Sequence, residues 1–375
     1  MGLPDLLKDA ERQLTICNSC RYCESYCAVF PALELRTEFA KKDVIHLANL
    51  CHDCRGCYFA CMYTPPHEFA VNIPAVLAAV RVETYREYGW PRVMSRFLGG
   101  GIRSVLVTSI VGVGAALGAV VAFGEPGQLL LAQPPGPGSF FRILPYAAMA
   151  VPFLVLSAFV IAVMFGGLVA YWRDTRGRLG DLMDGAALAG AAADAFGLRY
   201  LNDTGDGCFY PGEEPAHQRR FHHHLVFYGF LADLASTTIA AYLHNVLDVH
   251  PPYPLWSVPV VLGTAGGVAQ IIGTVGLLRL KWRSDERPAH AKMVAKDYAF
   301  LASLNLVSVT GMLTLMLRET PLLGSILVVH LGTLVAFFLT MPYGKFVHFV
   351  YRYAALVQNR IESRPAPTGE PARPA

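Results

Sequence analysis

The chain has 375 residues, of which 54% are hydrophobic and 16% charged, and its mean hydropathy is +0.38. A soluble domain carries about 25% charged residues, so this composition argues against a wholly soluble protein. The formal net charge of +3 is too small to indicate a nucleic-acid partner. Uncharged stretches dominate only after about residue 100, which predicts a small soluble head on an integral membrane body.

Two runs of four cysteines lie within the first hundred residues. The stretches CNSCRYCESYC (17–27) and CHDCRGCYFAC (51–61) share the spacing C-x2-C-x2-C-x3-C. This is the spacing of paired [4Fe–4S] clusters, in which the fourth cysteine of each run ligates the other cluster. The predicted ligands are Cys17, Cys20, Cys23 and Cys61 for one cluster, and Cys51, Cys54, Cys57 and Cys27 for the other.

The context of these cysteines favours iron–sulfur chemistry over the alternatives. The opening sequence MGLPDLLKDAERQL has no apolar core of the kind found in signal peptides. The head is therefore expected in the cytoplasm, where disulfides are rare. Two four-cysteine zinc sites are the alternative, but these more often use C-x2-C pairs separated by a longer loop. The intervening sequence ALELRTEFAKKDVIHLANL is helix-like and neither run is followed by proline, so an all-helical ferredoxin-like head is predicted.

Six later segments approach or exceed the roughly 20 apolar residues that a membrane-spanning helix needs. The predicted spans cover residues 104–123, 145–172, 222–247, 255–278, 298–317 and 321–344. The last helix is expected to continue to about Tyr351. The predicted fold class is therefore all-α, with a helical dicluster ferredoxin-like domain (1–100), a six-helix transmembrane haem b domain containing a polar loop at 173–221 (101–361), and a disordered tail (362–375).

Basic residues are distributed unevenly between the loops. With the head in the cytoplasm, the far-side loops contain only Arg142 and Arg318. The near-side loops contain Arg173, Arg176, Arg178, Arg199, Arg219, Arg220, Arg279, Lys281, Arg283, Arg287, Lys292 and Lys296. Because loops rich in Lys and Arg remain on the cytoplasmic side, both termini are predicted to face the cytoplasm.

Histidines recur on the third and sixth predicted spans. The third carries His222, His223, His224 and His244, and the sixth carries His330 and His348. Since 18 residues make five helical turns, the two histidines of the sixth span are predicted to share a face. The antiparallel direction of the two spans would bring His348 to the His222–His224 group near the head. It would likewise bring His244 to His330 on the far side.

Paired histidines from facing helices are what a b-type haem with two histidine ligands requires. The pattern predicts one or two such haems, with helical phase favouring His222 over His223, and with Arg219, Arg220 and Lys345 available for haem propionates. Packing or surface anchoring is the alternative role for any one histidine. Asp233, on the same stripe as His222, is predicted either to relay a proton for a quinone or to hydrogen-bond a haem-ligating imidazole.

Other motifs are assigned structural roles or are absent. The sequence contains no dinucleotide-binding G-x-G-x-x-G after a strand, and GVGAALG at 112–118 lies within the first span, where it is predicted to pack helices. Cys208 is predicted to be a buried structural thiol. The chain can carry electrons but has no dehydrogenase domain of its own, so a partner enzyme is expected.

The motifs CRYCESYCAVFPALELR, LANLCHDCRGCYFAC, PPHEFAVNIP and LRYLNDTGDGCFYPGEEPAHQRRFHHHLVFYGF resemble the tricarballylate-utilisation protein B (CitB-type) family over nearly the whole chain. The resemblance implies a membrane iron–sulfur and haem protein of the bacterial inner membrane, with cluster ligation by the eight cysteines. It also implies a flavoprotein partner, an FAD-dependent tricarballylate dehydrogenase or a similar enzyme, whose reduced flavin is reoxidised by the quinone pool.

Two other functional classes compete with an electron-transfer subunit. A redox-gated tricarboxylate permease would use six spans with Pro/Gly interruptions, but Asp233 is the only acid within the predicted spans and no lysine or arginine lies there to bind the substrate. A membrane redox sensor would need an output domain, and none is recognisable after the last span.

Overall fold

The computed structural model of the protein describes residues 2–128, 140–175, 177–202 and 207–364. Helices provide almost all the regular structure of these residues, which confirms the predicted all-α class. The head contains α1 (Leu3–Cys20), α2 (Val29–Glu34), α3 (Lys41–Leu50), α4 (Gly56–Phe59) and α5 (Ile73–Tyr88), and α6 (Arg92–Leu98) leads to the membrane part.

Six helices in the described ranges are long and apolar enough to cross a membrane. They are α7 (Ile102–Phe123), α9 (Tyr146–Asp174), α11 (Gln218–Asn245), α12 (Val258–Trp282), α13 (Ala291–Met316) and α14 (Leu323–Thr340). Each overlaps one predicted span, so the protein is a multi-pass membrane protein. Large apolar side chains such as Ile110, Leu154 and Ile161 are exposed on these helices, as expected where lipid replaces water as the solvent.

Short elements connect the spans. Helix α8 (Phe140–Ile143) precedes α9, and α10 (Gly185–Phe196) follows it on the head side. The strands β1 (Cys208–Phe209) and β2 (Pro215–Ala216) form an antiparallel hairpin before α11. Arg176, one of the basic residues in the near-side loops, lies outside the described residues.

The sixth span ends earlier than predicted. Helix α14 stops at Thr340, turns occupy 341–347, and α15 (His348–Glu362) begins a separate helix. The prediction of one helix through Tyr351 is wrong because Pro342 cannot supply the N–H of a helix interior. The amide of Gly344 instead bonds the carbonyl of Thr340 (2.8 Å). His330 and His348 therefore lie on different helices, and the five-turn argument does not place them on one face.

Helix α15 completes the hydrophobic core of the head. Its Tyr351 and Leu356 pack in the same core as Leu14, Ile45 and Leu77 from α1, α3 and α5. The core thus combines the first hundred residues with the last described helix.

A buried arginine anchors the end of α15 in the head. Arg36, whose side chain is 3% exposed, contacts Asp43 at 3.0 Å and Glu362 at 2.9 Å. Removal of one partner from such a buried pair strongly destabilises a fold. Glu362 was assigned to the disordered tail, and that assignment is wrong, because the residue ends α15 in a defined contact. Residues 365–375 of the predicted tail lie outside the described residues.

Glycines allow α7 and α14 to approach closely. A Cβ atom on Gly112 would overlap the carbonyl oxygen of Gly332, whereas a Cβ on Gly114 would have nothing within 4 Å. Close approach at small residues is a general mode of helix packing in membranes. The helix-packing role predicted for the glycine motif is therefore confirmed at Gly112.

This packing predicts a difference between two neighbouring positions. We expect Gly112→Leu to reduce the free energy of unfolding by about 1–3 kcal/mol, the usual effect of overpacking. Gly114→Leu, on the open face of α7, is the matched control and should leave stability unchanged. The measurement is the midpoint of thermal unfolding in one detergent. Equal midpoints for the two variants would contradict the α7–α14 contact.

Candidate functional site

Both cysteine runs turn in the same way after their second cysteine. Arg21 and Arg55 follow Cys20 and Cys54, and both adopt the left-handed conformation, with φ of 55° and 71°. In the first run this turn ends α1, and in the second it starts α4. The repeated sequence therefore produces a repeated backbone turn.

The structure brings the four cysteines of the first predicted cluster to one pocket. Cys17, Cys20, Cys23 and Cys61 line a space of about 530 Å³, together with Cys57 of the other predicted group and apolar side chains such as Phe30. Cys20 is exposed at its edge. The crossed arrangement, in which the last cysteine of the second run joins the first three of the first run, is the arrangement that the spacing predicts.

The chemistry of this pocket fits an iron–sulfur cluster. Burial and, to a smaller extent, the nearby thiol of Cys61 raise the pKa of Cys17 and of Cys23 to about 12. Several thiolates in this space therefore require a compensating metal charge. Within the described ranges, no three Cys, His, Asp or Glu side chains are grouped as a single metal ion requires. A four-iron cluster takes four thiolate ligands, and four of the predicted ligands line this one pocket.

The second group is partly assembled. Burial raises the pKa of Cys57 well above its ordinary value, and the nearby thiols of Cys27 and Cys51 raise it further. Cys54 is also buried, and it packs beside Cys208 under the β-hairpin. The structure thus brings together three of the four predicted ligands and places Cys54 at the edge of the group.

Cys208 has the role expected of it. The residue is fully buried, and its Sγ donates to the carbonyl of Leu201 at 3.2 Å. This confirms the prediction of a buried structural thiol.

Arginines on α11 and α15 donate hydrogen bonds to backbone carbonyls of the second cysteine run. Arg219 of α11 donates to the carbonyl of Asp53 at 2.6 Å, and Arg352 of α15 donates to the carbonyl of Cys51 at 2.7 Å. The buried Arg81 of α5 also donates to the Cys51 carbonyl, at 3.2 Å. Hydrogen bonds from charged donors are stronger than neutral ones, so the Cys51–Cys54 backbone is fixed to α15 and to α11, a membrane-spanning helix.

The same two helices carry a pair of facing histidines. The rings of His223 on α11 and His348 on α15 have centroids 6.3 Å apart. This separation admits one metal bound by a nitrogen of each ring, because metal–imidazole bonds are about 2.0 Å long. Nδ1 of His223 is buried and has no hydrogen-bond partner among the described residues. Since buried polar atoms are normally paired, this orphaned nitrogen fits a ligand at the site. His222, His224 and His244 also have one buried ring nitrogen without a partner in the described part of the chain, so it is the contact with His348 that distinguishes His223.

His348 is held in the form that binds a metal. Its Nδ1 bonds the Lys345 carbonyl at 2.7 Å, which fixes the ring and leaves Nε2 for a ligand. Burial lowers the pKa of His348 well below its ordinary value, and the nearby charges of Arg352 and Lys345 lower it further. The imidazole is therefore neutral at physiological pH.

The histidine favoured by helical phase faces elsewhere. The ring of His222 lies against α12, where it occupies the space that a side chain on Gly276 would fill. His224 packs on Tyr228, with ring centroids 5.6 Å apart. Of the three consecutive histidines, the structure directs His223 towards His348.

The two far-side histidines have separate partners. The ring of His244 lies 4.7 Å from that of His250 and 3.9 Å from that of Tyr146. Nδ1 of His330 contacts the hydroxyl of Thr310 at 3.0 Å. His244 is next to the last residue of α11, whereas His330 is a full two turns inside α14, so the two lie at different depths. The structure does not bring them together as predicted.

The acid on the histidine stripe has an amide partner. The carboxylate of Asp233 accepts a hydrogen bond from the side chain of Gln270 on α12, and Gly266 leaves space for it. The observed partner is therefore not a haem-ligating imidazole, which was one of the two predicted roles. The proton-relay role stays a prediction.

The three basic residues predicted for haem propionates lie on the head side, where each has a protein partner. Arg219 bonds the Asp53 carbonyl, as described above, and Arg220 donates to the Gly197 carbonyl at 2.8 Å. Lys345 contacts Asp297 at 2.9 Å, and Asp297 also contacts Lys281 at 2.7 Å. Burial lowers the pKa of Lys345 to about 8, although Asp297 opposes this shift.

Sequence reasoning missed Arg81, Arg352 and Asp297. A usable signal existed for Arg352, because it follows His348 by four residues, just as His223 follows Arg219 by four. Residues four apart share a helix face, so each helix presents a histidine and an arginine together. Nothing local in the sequence distinguishes Arg81 or Asp297.

The fold and the cysteine groups define a class of protein, a multi-pass helical membrane protein with a ferredoxin-like head. Residues 10–87 match the family model described as the citrate utilization protein B Fer4-like domain, and residues 100–369 match that of citrate utilization protein B. The chain belongs to the citrate utilization protein B family, as its motifs predicted. It is 40% identical to the citrate utilization protein B of Escherichia coli over 360 residues, which are 95% of this chain and 92% of that protein. No solved structure matches the chain.

Proposed function

We propose that the protein is a membrane electron-transfer subunit. It accepts electrons from the reduced flavin of a partner dehydrogenase, with tricarballylate dehydrogenase as the first candidate. It delivers them to the quinone pool by way of two [4Fe–4S] clusters and b-type haem, which supply one-electron transfer when bound. The Fer4-like domain and the membership of a citrate-utilisation family support the iron–sulfur part of this proposal.

One observation carries the proposal. The helices that present His223 and His348 also hold the second cysteine run, through Arg219 and Arg352. The head and the histidine pair are therefore joined by direct hydrogen bonds instead of a flexible linker. Such bonds keep the distance between electron-donor and electron-acceptor sites fixed. Electron transfer requires a fixed distance, whereas a head with a purely structural role does not.

Each group of site residues has its own role in the proposed electron transfer. The eight cysteines hold the clusters, and the exposed Cys20 makes the first group the natural entry point for electrons. His223 and His348 would hold a haem, and Arg219, Arg220 and Lys345 would balance the charge of its propionates in addition to their protein contacts. A second haem, held by His244 and His330, stays a prediction. No contact between these two histidines in the described residues supports it. A proton-relay role for Asp233 stays a prediction.

The proposed arrangement in the cell follows from the charge of the loops. The head and both termini face the cytoplasm of the bacterial inner membrane, where the flavoprotein partner is soluble. The proposed division is a head (1–100), a haem-bearing membrane domain (101–361) and a tail that begins after Glu362, with α15 shared between the head and the membrane domain.

A composition measurement on the purified chain tests the proposal. Two clusters and one haem predict about eight cluster irons, eight acid-labile sulfides and one protohaem per chain. After reduction by the flavoprotein, the haem band should disappear when a quinone analogue is added. The flavoprotein alone, mixed with the same quinone, is the control. A chain with neither sulfide nor protohaem, or with reduced haem that no quinone reoxidises, would refute the function.

A further inference from the structure

A second pocket lies on the head side of the membrane bundle, apart from both cysteine groups. It has a volume of about 350 Å³ and lies between the start of α7, the first turns of α13, the end of α14 and the turns at 341–347. The pocket lies at the head-side ends of three membrane-spanning helices, α7, α13 and α14, within reach of a lipid-soluble molecule.

A buried ammonium group lines this pocket without a counter-ion. Lys296 is 8% exposed, and its Nζ donates to the carbonyls of Gly99 at 2.8 Å and of Tyr343 at 3.1 Å. In the part of the chain that the structure describes, no carboxylate forms an ion pair with it. An ammonium has three donors, and a buried charge is normally paired. Lys296 therefore has one donor available for an electron-rich ligand atom.

A second donor lies on the same side of α13, two turns further along. Ser303 is 4% exposed and lines the pocket, and its hydroxyl has no hydrogen-bond partner in the described ranges. Ser308 and Thr310 on the same helix instead donate to the carbonyl four residues earlier, at 2.9 and 2.8 Å. The usual way of satisfying such a hydroxyl within a helix is therefore not used at Ser303.

Aromatic rings form the apolar wall. The rings of Phe300, Phe337 and Phe346 surround one region of the pocket, with centroid separations between 5.9 and 6.5 Å. Phe346 is two residues from His348, the histidine that faces His223. A planar ligand in the pocket would therefore lie next to the proposed haem-binding histidines.

We propose that this pocket binds the headgroup of the membrane quinone, with Lys296 and Ser303 donating hydrogen bonds to its carbonyl oxygens. This assignment rests on the proposed function and locates its terminal acceptor. Reduction of the quinone to a quinol consumes two electrons, supplied by the reduced flavin, and two protons, supplied by water on the head side. A phospholipid headgroup could also use the ammonium, but the three rings match a flat ring better than a phosphate.

Photoaffinity labelling of the full chain provides the first test. The probe is an azido-quinone, added to the protein in phosphatidylcholine nanodiscs and followed by peptide mapping. We expect label within 291–304 and 337–347, displaced by an excess of unlabelled short-chain quinone. Label near Asp233 and Gln270, or label displaced only by added phospholipid, overturns the assignment. If such a protein still reduces quinone, the site is wrong and the proposed function stands.

A matched pair of lysine variants provides the second test. Lys296→Gln removes the ammonium that faces the pocket, while Lys292→Gln changes an exposed lysine one turn earlier, which pairs with Glu83. Loss of a charged hydrogen bond is expected to raise the KM for quinone about tenfold. The value of kcat and the rate of haem reduction by the flavoprotein should change little, and Lys292→Gln should match the wild type. An unchanged KM for quinone in both Lys296→Gln and Ser303→Ala would overturn the proposed quinone site. A wild-type protein that reduces no quinone would overturn the proposed function as well.

Discussion

Cys57→Ser is expected to abolish quinone reduction driven by the reduced flavoprotein while leaving the haem bound. Cys57 lies near Cys27 and Cys51 of its own group and is also near Cys17 and Cys23 of the other. It is thus the cysteine between the two proposed clusters. A serine hydroxyl at this position is a far weaker iron ligand than a thiolate, so the second cluster should be lost.

The measurement combines activity with composition. Cluster iron should fall by about half, from about eight to about four atoms per chain, and flavoprotein-driven quinone reduction should fall to background. Protohaem should be retained, because His223 and His348 are untouched. Cys208→Ser is the matched control, since Cys208 is buried and bonds a carbonyl that a serine can also bond. Full electron flow in Cys57→Ser would show that the clusters are not on the path.

Substitution of His223 should remove the haem, whereas substitution of its neighbour His222 should not. The ring of His223 faces His348, while the ring of His222 packs on α12 at Gly276. We expect protohaem in His223→Ala and His348→Ala to fall from about one per chain to nearly none, because a haem with two histidine ligands loses half of its axial ligation. The readout is the reduced-minus-oxidised absorbance of haem b, scaled to acid-labile sulfide.

Sulfide serves as the internal standard in this experiment, because the cysteine groups do not depend on His223. Retention of sulfide with loss of haem would separate ligation from misfolding. His222→Ala and His224→Ala should keep both cofactors. The opposite pattern, with haem lost in His222→Ala and kept in His223→Ala, would restore the assignment that helical phase favours.

The sequence alone predicts structural features that follow from a repeated local pattern. It does not predict features that depend on packing between helices. The spacing of the cysteines predicts a similar local structure in the two runs, and both have a left-handed turn, at Arg21 and Arg55. It does not predict that Cys57 lines the pocket of the first group or that Cys54 lies at the edge of the second. The spans are visible because lipid requires long apolar segments. The break between α14 and α15 also had a local signal, the sequence PYG at 342–344, which the apolar pattern concealed.

Other features could not be derived from local sequence. The choice of His223 over His222 depends on α12. The ring of His222 packs against Gly276 of α12, and the ring of His223 faces α15. The carbonyls that Arg81, Arg219 and Arg352 contact are more than 25 residues away along the chain. Helical phase alone contains no information about such partners.

The position of α15 has a consequence for biogenesis. The arginine at position 36 meets its carboxylate partner 326 residues later, and the interior of the head stays open until that last helix emerges from the ribosome. The metal-binding part is therefore completed only after every membrane segment has been inserted. Under the proposed function, this order of events would couple maturation of the Fer4-like head to membrane integration, so that a chain stalled in translocation would present no finished redox centre.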